Sequence, residues 1–168
     1  MELFARHGVG GTSLQMIADA IGATKAAIYY QFKTKDEIVL AVAETELAHL
    51  EAAIVAAESE QCASRAQEVL LDQVIDLAVA RRQLVGVLQS DPVMVRFLAE
   101  HEPFQRLMER LFVVLTGADV DADMHVQAVM LSAAIGAAAI HPLVTDLEDA
   151  TLAFHLRRMA RRLFQFPE

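Results

Sequence analysis

Apolar residues recur along this chain at spacings of three and four, interrupted by residues that start and stop helices. In the first 45 residues the segments are short. Leu3, Phe4 and Ala5 read as the end of an amphipathic helix closed by His7-Gly8. Leu14, Ile17, Ala18 and Ile21 share one face of a helix that Thr12 and Gln15 open as a capping box and Gly22 closes. Thr24 caps the next helix, Lys25 to Gln31. Thr34 with Glu37 opens a much longer one, Lys35 to Glu58, with Val39, Ala43, Leu47, Leu50, Ile54 and Ala57 as its apolar stripe. At 1.5 Å per residue that helix is roughly 35 Å long and joins the first segment physically to the second.

Downstream, the pattern predicts helices around Ala63 to Arg82 and Leu84 to Gln89, then from Asp91-Pro92 to about Glu100. Pro103 to Leu115 follows, closed at Gly117, and then Asp121 to Ile140, closed by His141-Pro142. A last helix, opened by Thr145 with Glu148, carries Leu152, Leu156, Met159 and Leu163 on its face. No strand-like alternation of useful length and no repeat interrupts this. The expectation is an all-α protein: a three-helix, helix-turn-helix head over residues 1–45, its first helix truncated, and a helical bundle over residues 46–168.

Composition narrows the function classes. The single Cys62 excludes an internal disulfide and fits a reducing compartment. The opening residues lack the basic stretch and apolar run of a signal peptide. The longest uncharged stretch, Val126 to Ile140, is shorter than the ~20 residues that span a bilayer. A soluble, cytoplasmic protein without membrane contact is expected. The six histidines show no helical pairing with one another, and no phosphate loop or nucleophile elbow is present. The sequence therefore predicts no metal, no cofactor and no enzyme.

A net charge of −9 argues at first against nucleic acid. The distribution reverses that reading. All the lysines, Lys25, Lys33 and Lys35, lie close together, and almost all of the acidic excess lies after residue 45. A locally basic edge can meet phosphate while the acidic remainder stays away. The segments Ser13 to Ile21 and Lys25 to Gln31, joined by a tight glycine turn, fit a helix-turn-helix, whose second helix can enter the major groove. Lys25 at its start could donate to guanine, and the Ala27 methyl could meet a thymine methyl.

The run from Gly11 to Glu37, GTSLQMIADAIGATKAAIYYQFKTKDE, resembles the head of the tetracycline-repressor-like (TetR) family of transcriptional regulators. The resemblance implies phosphate contacts from Thr12 and Ser13 and from Tyr29 and Lys35. It places Thr24 and Lys25 at the start of the recognition helix and Tyr30 at a DNA-contacting position, with Ile17, Ala18, Ile28 and Phe32 in the head's core. Ala26, Ala27 and Gln31 depart from the residues common there, which alters the bases read more than the fact of binding.

The resemblance also implies a homodimer through the last two helices, bound to a near-palindromic operator of double-stranded DNA, and a small-molecule effector held in the body. The small residues Ala133, Ala134, Gly136, Ala137 and Ala138 suit a close approach of two helices. For the effector, Met94, Phe97, Phe104, Met108, Phe112 and Met130 are the candidate lining, with His141 as a polar group. Met- and Phe-rich walls suit a mainly apolar ligand. The function expected is a ligand-responsive regulator, most simply a repressor. The competing reading is a module that no longer binds DNA and sequesters a small molecule or a protein partner.

Overall fold

The computed structural model describes residues 2–117 and 121–163, and among them all regular structure is helical. The head consists of α1 (Glu2–Gly11), α2 (Leu14–Ile21) and α3 (Lys25–Gln31). The long α4 (Lys35–Glu58) leads to α5 (Ala63–Ala80), α6 (Arg82–Ser90), α7 (Pro92–Glu100) and α8 (Glu102–Thr116). Then come α9 (Ala122–Ile140), a 3₁₀ turn at Pro142–Val144 and α10 (Asp149–Leu163). Gly117, closing α8, adopts φ 85°, the left-handed region open mainly to glycine. Asp121 caps α9 by accepting from the Met124 N–H.

Two caps differ from the sequence pattern. Ser13, not Thr12, caps α2, its hydroxyl accepting from the Met16 N–H at 3.2 Å. Thr12 instead points into the protein. Thr145 does not open the last helix either; its hydroxyl donates to the His141 carbonyl in the 3₁₀ turn, and α10 begins at Asp149. In both places a hydroxyl four residues beyond a carbonyl took that nearby acceptor in preference to an N–H ahead of it. Thr34 does cap α4, accepting from the Glu37 N–H, while the Glu37 carboxylate returns to the Lys33 N–H.

Two apolar cores are joined by α4. Its Ile38, Val39 and Ala43 belong to the head's core with Phe4, Val9, Ala18 and Ile28. Its Ile54 and Ala57 belong to the body's core with Leu70, Ile75, Leu111, Leu131 and Leu152. The boundary near residue 45 is therefore not a boundary between cores. Val87 of α6 and Met94 of α7 complete the head's core from the body's side. Within the body, α5 is central and packs on α4, α8, α9 and α10.

Ionic ties link the body helices from outside. Arg157 of α10 pairs with Asp72 and Asp76 of α5, so the first of the C-terminal arginines serves a cross-helix tie and not only the helix dipole. Arg110 of α8 reaches both Glu58 and Glu51 of α4. Its hydrogen bonds hold the Glu58 carboxyl below the ordinary carboxylate range and raise its own already high value. A depressed folded-state value means the stabilisation is present above the unfolded carboxylate pKa and is lost as pH falls through the folded one. Arg110→Ala should thus lower stability at neutral pH by up to ~1 kcal/mol, since the pair is partly solvated. Thermal melts of the two proteins should converge as the medium is acidified below the carboxylate range.

Candidate nucleic-acid interface

The turn between α2 and α3 is built by Gly22, at φ 68°, whose N–H bonds back to α2. Thr24 then caps α3, accepting from the Ala27 N–H at 3.1 Å. On α3, Ile28 faces inward and is 6 % exposed. Its neighbours face out: Tyr30 is 84 % exposed and Tyr29 46 %. Thr24, Lys25 and Ala27 are exposed as well. The Lys25 ammonium lies 5.7 Å from the centre of the Tyr29 ring, a cation–π arrangement one helical turn apart. That contact steadies two flexible side chains on one outward surface.

The remaining expected phosphate contacts are spread along the adjoining ends. Ser13 is exposed at the start of α2, beside N–H groups that carry the positive end of the helix dipole. The Lys35 ammonium donates to the Gly10 carbonyl at 3.0 Å, tying the start of α4 to the end of α1. Thr12 is placed differently from the rest. Its side chain is 2 % exposed, and its hydroxyl donates to the Gly8 carbonyl at 2.7 Å and lies 3.2 Å from that of Leu3. The structure therefore gives the Thr12 hydroxyl an internal bond, and only Ser13 of that pair presents its side chain outward. The type of residue is the same at both positions, so sequence could not separate them. Thr12→Val, which keeps the shape and removes the hydroxyl, should cost ~1–3 kcal/mol because the buried carbonyls lose their donor. A drop of several degrees in Tm with little change in DNA affinity is the expected pattern.

The residues expected to line an effector pocket do not gather around one cavity. Met94 and Phe97 pack against the head's core, and Met108 and Phe112 against the body's. Phe104 starts α8 half-buried, Met130 is 61 % exposed on α9, and His141 is exposed and accepts from the Leu143 N–H. Their apolar clustering in sequence reflected two cores and one outer face. Two open cavities are lined by other residues. One of about 680 Å³ sits inside the head between α1, α2, α3 and α4 and is walled mainly by Leu3, Ile17, Ile21, Phe32 and Val42. Its outer lip includes Ile21, which is 65 % exposed although its spacing predicts burial. Another, of about 640 Å³, lies between α1, α6 and the end of α9. No sequence signal pointed to it, because its walls come from segments some 80 and 130 positions apart.

Cys62 is exposed at the start of α5, where the Ser64 hydroxyl 3.1 Å away holds its thiol below the usual range. Among the described residues no group of histidine, cysteine and carboxylate side chains is arranged to hold a metal ion. The 19-residue α9 is long and apolar enough to cross a membrane by length and composition alone. Its Ala128, Leu131, Ile135, Gly136 and Ala139 are buried against neighbouring helices.

A helix-turn-helix head whose second helix stands clear of the core, joined by one long helix to a helical body, defines a class of DNA-binding transcriptional regulators. Residues 1–42 match the family described as bacterial regulatory proteins, tetR family. The whole chain shares its fold with solved TetR-family regulators. The TetR family transcriptional regulator PfmR from Thermus thermophilus superposes with a TM-score of 0.72 at 19 % identity, over 99 % of this chain and 91 % of that one. A TetR/AcrR family regulator from Thermobifida fusca gives 0.63 at 25 % identity, over 99 % and 93 %. A tetR family regulatory protein from Rhodococcus gives 0.69 at 20 % identity, over 97 % and 91 %. No curated protein matches the chain by sequence.

Proposed function

We propose that this chain is a ligand-responsive repressor that binds a near-palindromic operator as a homodimer and is released by a small effector with a mainly apolar body. The observation that carries the DNA-binding part is the outward surface of α3. Tyr30 is 84 % exposed, and Tyr29, Lys25 and Ala27 stand beside it, none of them needed for the head's core. Aromatic rings, a cation and a methyl group at the start of a clear helix are what base edges and phosphates require. Ser13 and Lys35 extend the surface to the flanking phosphates.

The dimer reading rests on α9 and α10. Val126, Val129, Met130, Ala133 and Ala137 recur at helical spacing along the outer side of α9, and all are exposed. Phe154, Met159 and Leu163 are exposed on α10. A second copy packed there would cover this surface. Of the small residues on α9, Gly136 is used within the chain instead: a Cβ there would collide with Gln89 of α6. Ala133, Ala134 and Ala137 remain available to a partner. An outer face buried against a second copy also accounts for the length and apolarity of α9 without a membrane.

Selection of bound sequences from random duplex DNA tests the proposal. A recovered near-palindrome with half-sites about 34–36 Å apart is the expected outcome. Recovery of no sequence by a folded dimer at low salt would sink it and favour the sequestering module.

A further inference from the structure

The cavity of about 640 Å³ lies where the head meets the body, and its walls have a consistent chemistry. Phe4, Val87 and Ile140 give it an apolar side. The polar side is formed by Arg82, Gln83, Ser90, Asp91 and Thr145. The Ser90 hydroxyl donates its proton to the Gly86 carbonyl, and the Thr145 hydroxyl donates to the His141 carbonyl, so toward the cavity each has only lone pairs left. Arg82 is held by Asp149 and by the Thr145 and Leu147 carbonyls. The Asp91 carboxylate receives only backbone N–H groups, those of Val93, Met94 and Val9, and among the described residues no cation pairs with it. A carboxylate with no cation partner, beside an apolar wall and with Arg82 already engaged by Asp149, suits a ligand that brings a positive charge.

Asp91 also holds the head. Its Oδ2 accepts the Val9 N–H at 2.6 Å, and among the described residues this is the one side-chain hydrogen bond from residues 2–45 to the body. It falls at the break in α1, where Gly8 adopts φ 70° and ψ 166°. A side chain at Gly8 would be strained there, and its Cβ would lie 3.2 Å from Asp91 Oδ2. The glycine lets the carboxylate come close to the backbone of the head, and Gly8 and Asp91 both line the cavity.

We propose that this cavity is the effector site, that it takes a small molecule joining a protonated amine to an apolar body, and that Asp91 transmits its occupancy to the head. The inference rests on the ligand-responsive reading above and specifies its ligand class and site. An ammonium group at Asp91 competes with the Val9 N–H for the same carboxylate. Loosening that bond removes the side-chain hydrogen bond between head and body, leaves their apolar packing, and changes how the head is held. By linkage, operator DNA then weakens amine binding by the same factor.

The test titrates the intact protein with phenylbutylamine, phenylbutanol and phenylbutyrate by calorimetry, and measures affinity for the selected operator with and without saturating amine. Two variants accompany it. Asp91→Asn removes the charge and keeps a good helix cap, and Ala5→Trp fills the cavity from an exposed wall position without touching Asp91. The amine should bind about tenfold or more tighter than the alcohol, with the carboxylate weakest. Asp91→Asn should abolish the preference for amine over alcohol, and Ala5→Trp should weaken both. Saturating amine should lower operator affinity about fivefold or more. Equal binding of the three probes, no binding of the amine, or amine binding that survives both variants overturns the site. Amine binding that leaves operator affinity unchanged overturns the role of Asp91. Absence of any operator for the unliganded protein would instead refute the regulator reading, and the amine preference would still judge the cavity.

Discussion

Lys25→Ala and Tyr30→Ala should each weaken operator binding strongly while leaving the fold intact. Each base or phosphate contact of this kind contributes ~1–3 kcal/mol, and a dimer loses it twice, so the expected loss is on the order of 30-fold or more. Tyr30 is 84 % exposed and belongs to neither core, so its removal should change stability by no more than ~0.5 kcal/mol. A fall in affinity without a fall in Tm is therefore the diagnostic result. Salt titration separates the contacts further. If Lys25 neutralises phosphate, the slope of log affinity against log salt should become shallower by about two for the dimer; if it reads guanine, the slope should change less and specificity should relax. Fluorescence anisotropy on the selected operator supplies both numbers. Unaltered affinity in both variants would remove α3 from the interface.

The second large effect concerns assembly. Val129→Glu places a charge in the middle of the apolar stripe on α9, at a side chain that is 53 % exposed in the single chain. The chain should fold with that substitution, because the position is not part of either core. A dimer formed across this face would bury two carboxylates without partners, at a cost of several kcal/mol. Light scattering should then give the 18.4 kDa mass of one chain where the parent gives twice that. Operator affinity should drop by ~10²–10⁴, because the second head no longer binds at the effective concentration that the first one sets. A variant that remains dimeric would move the interface off α9.

Thr12→Val sharpens the meaning of both results. Thr12 and Ser13 are adjacent hydroxyl residues at the start of one helix, and one of them turns inward to the Leu3 and Gly8 carbonyls. An affinity loss in Thr12→Val larger than its stability loss explains would return that side chain to the DNA surface.

The sequence by itself determined the local structure. Helix boundaries were legible because their signals are short-range: Thr24 and Thr34 cap the helices that follow them, Asp91-Pro92 opens α7, and Gly22 and Gly117 end helices in conformations that suit glycine. The helix-turn-helix followed from the same signals together with one continuous run of residues, since its function-bearing positions lie close together in the chain. Tertiary structure decided whatever depends on segments far apart. Closeness in the chain and the family resemblance marked Met94, Phe97, Met108, Phe112 and Met130 as one group, yet three different surroundings divide them, because an apolar residue type does not say what it meets. The same ambiguity left Ile21 exposed and drew Val87 and Met94 into the head's core. The bond from Val9 to Asp91 spans 82 positions, and no pattern along the chain encodes it. Caps are local and are read from neighbours; a cavity and a bond across 82 positions exist only once the chain has closed upon itself.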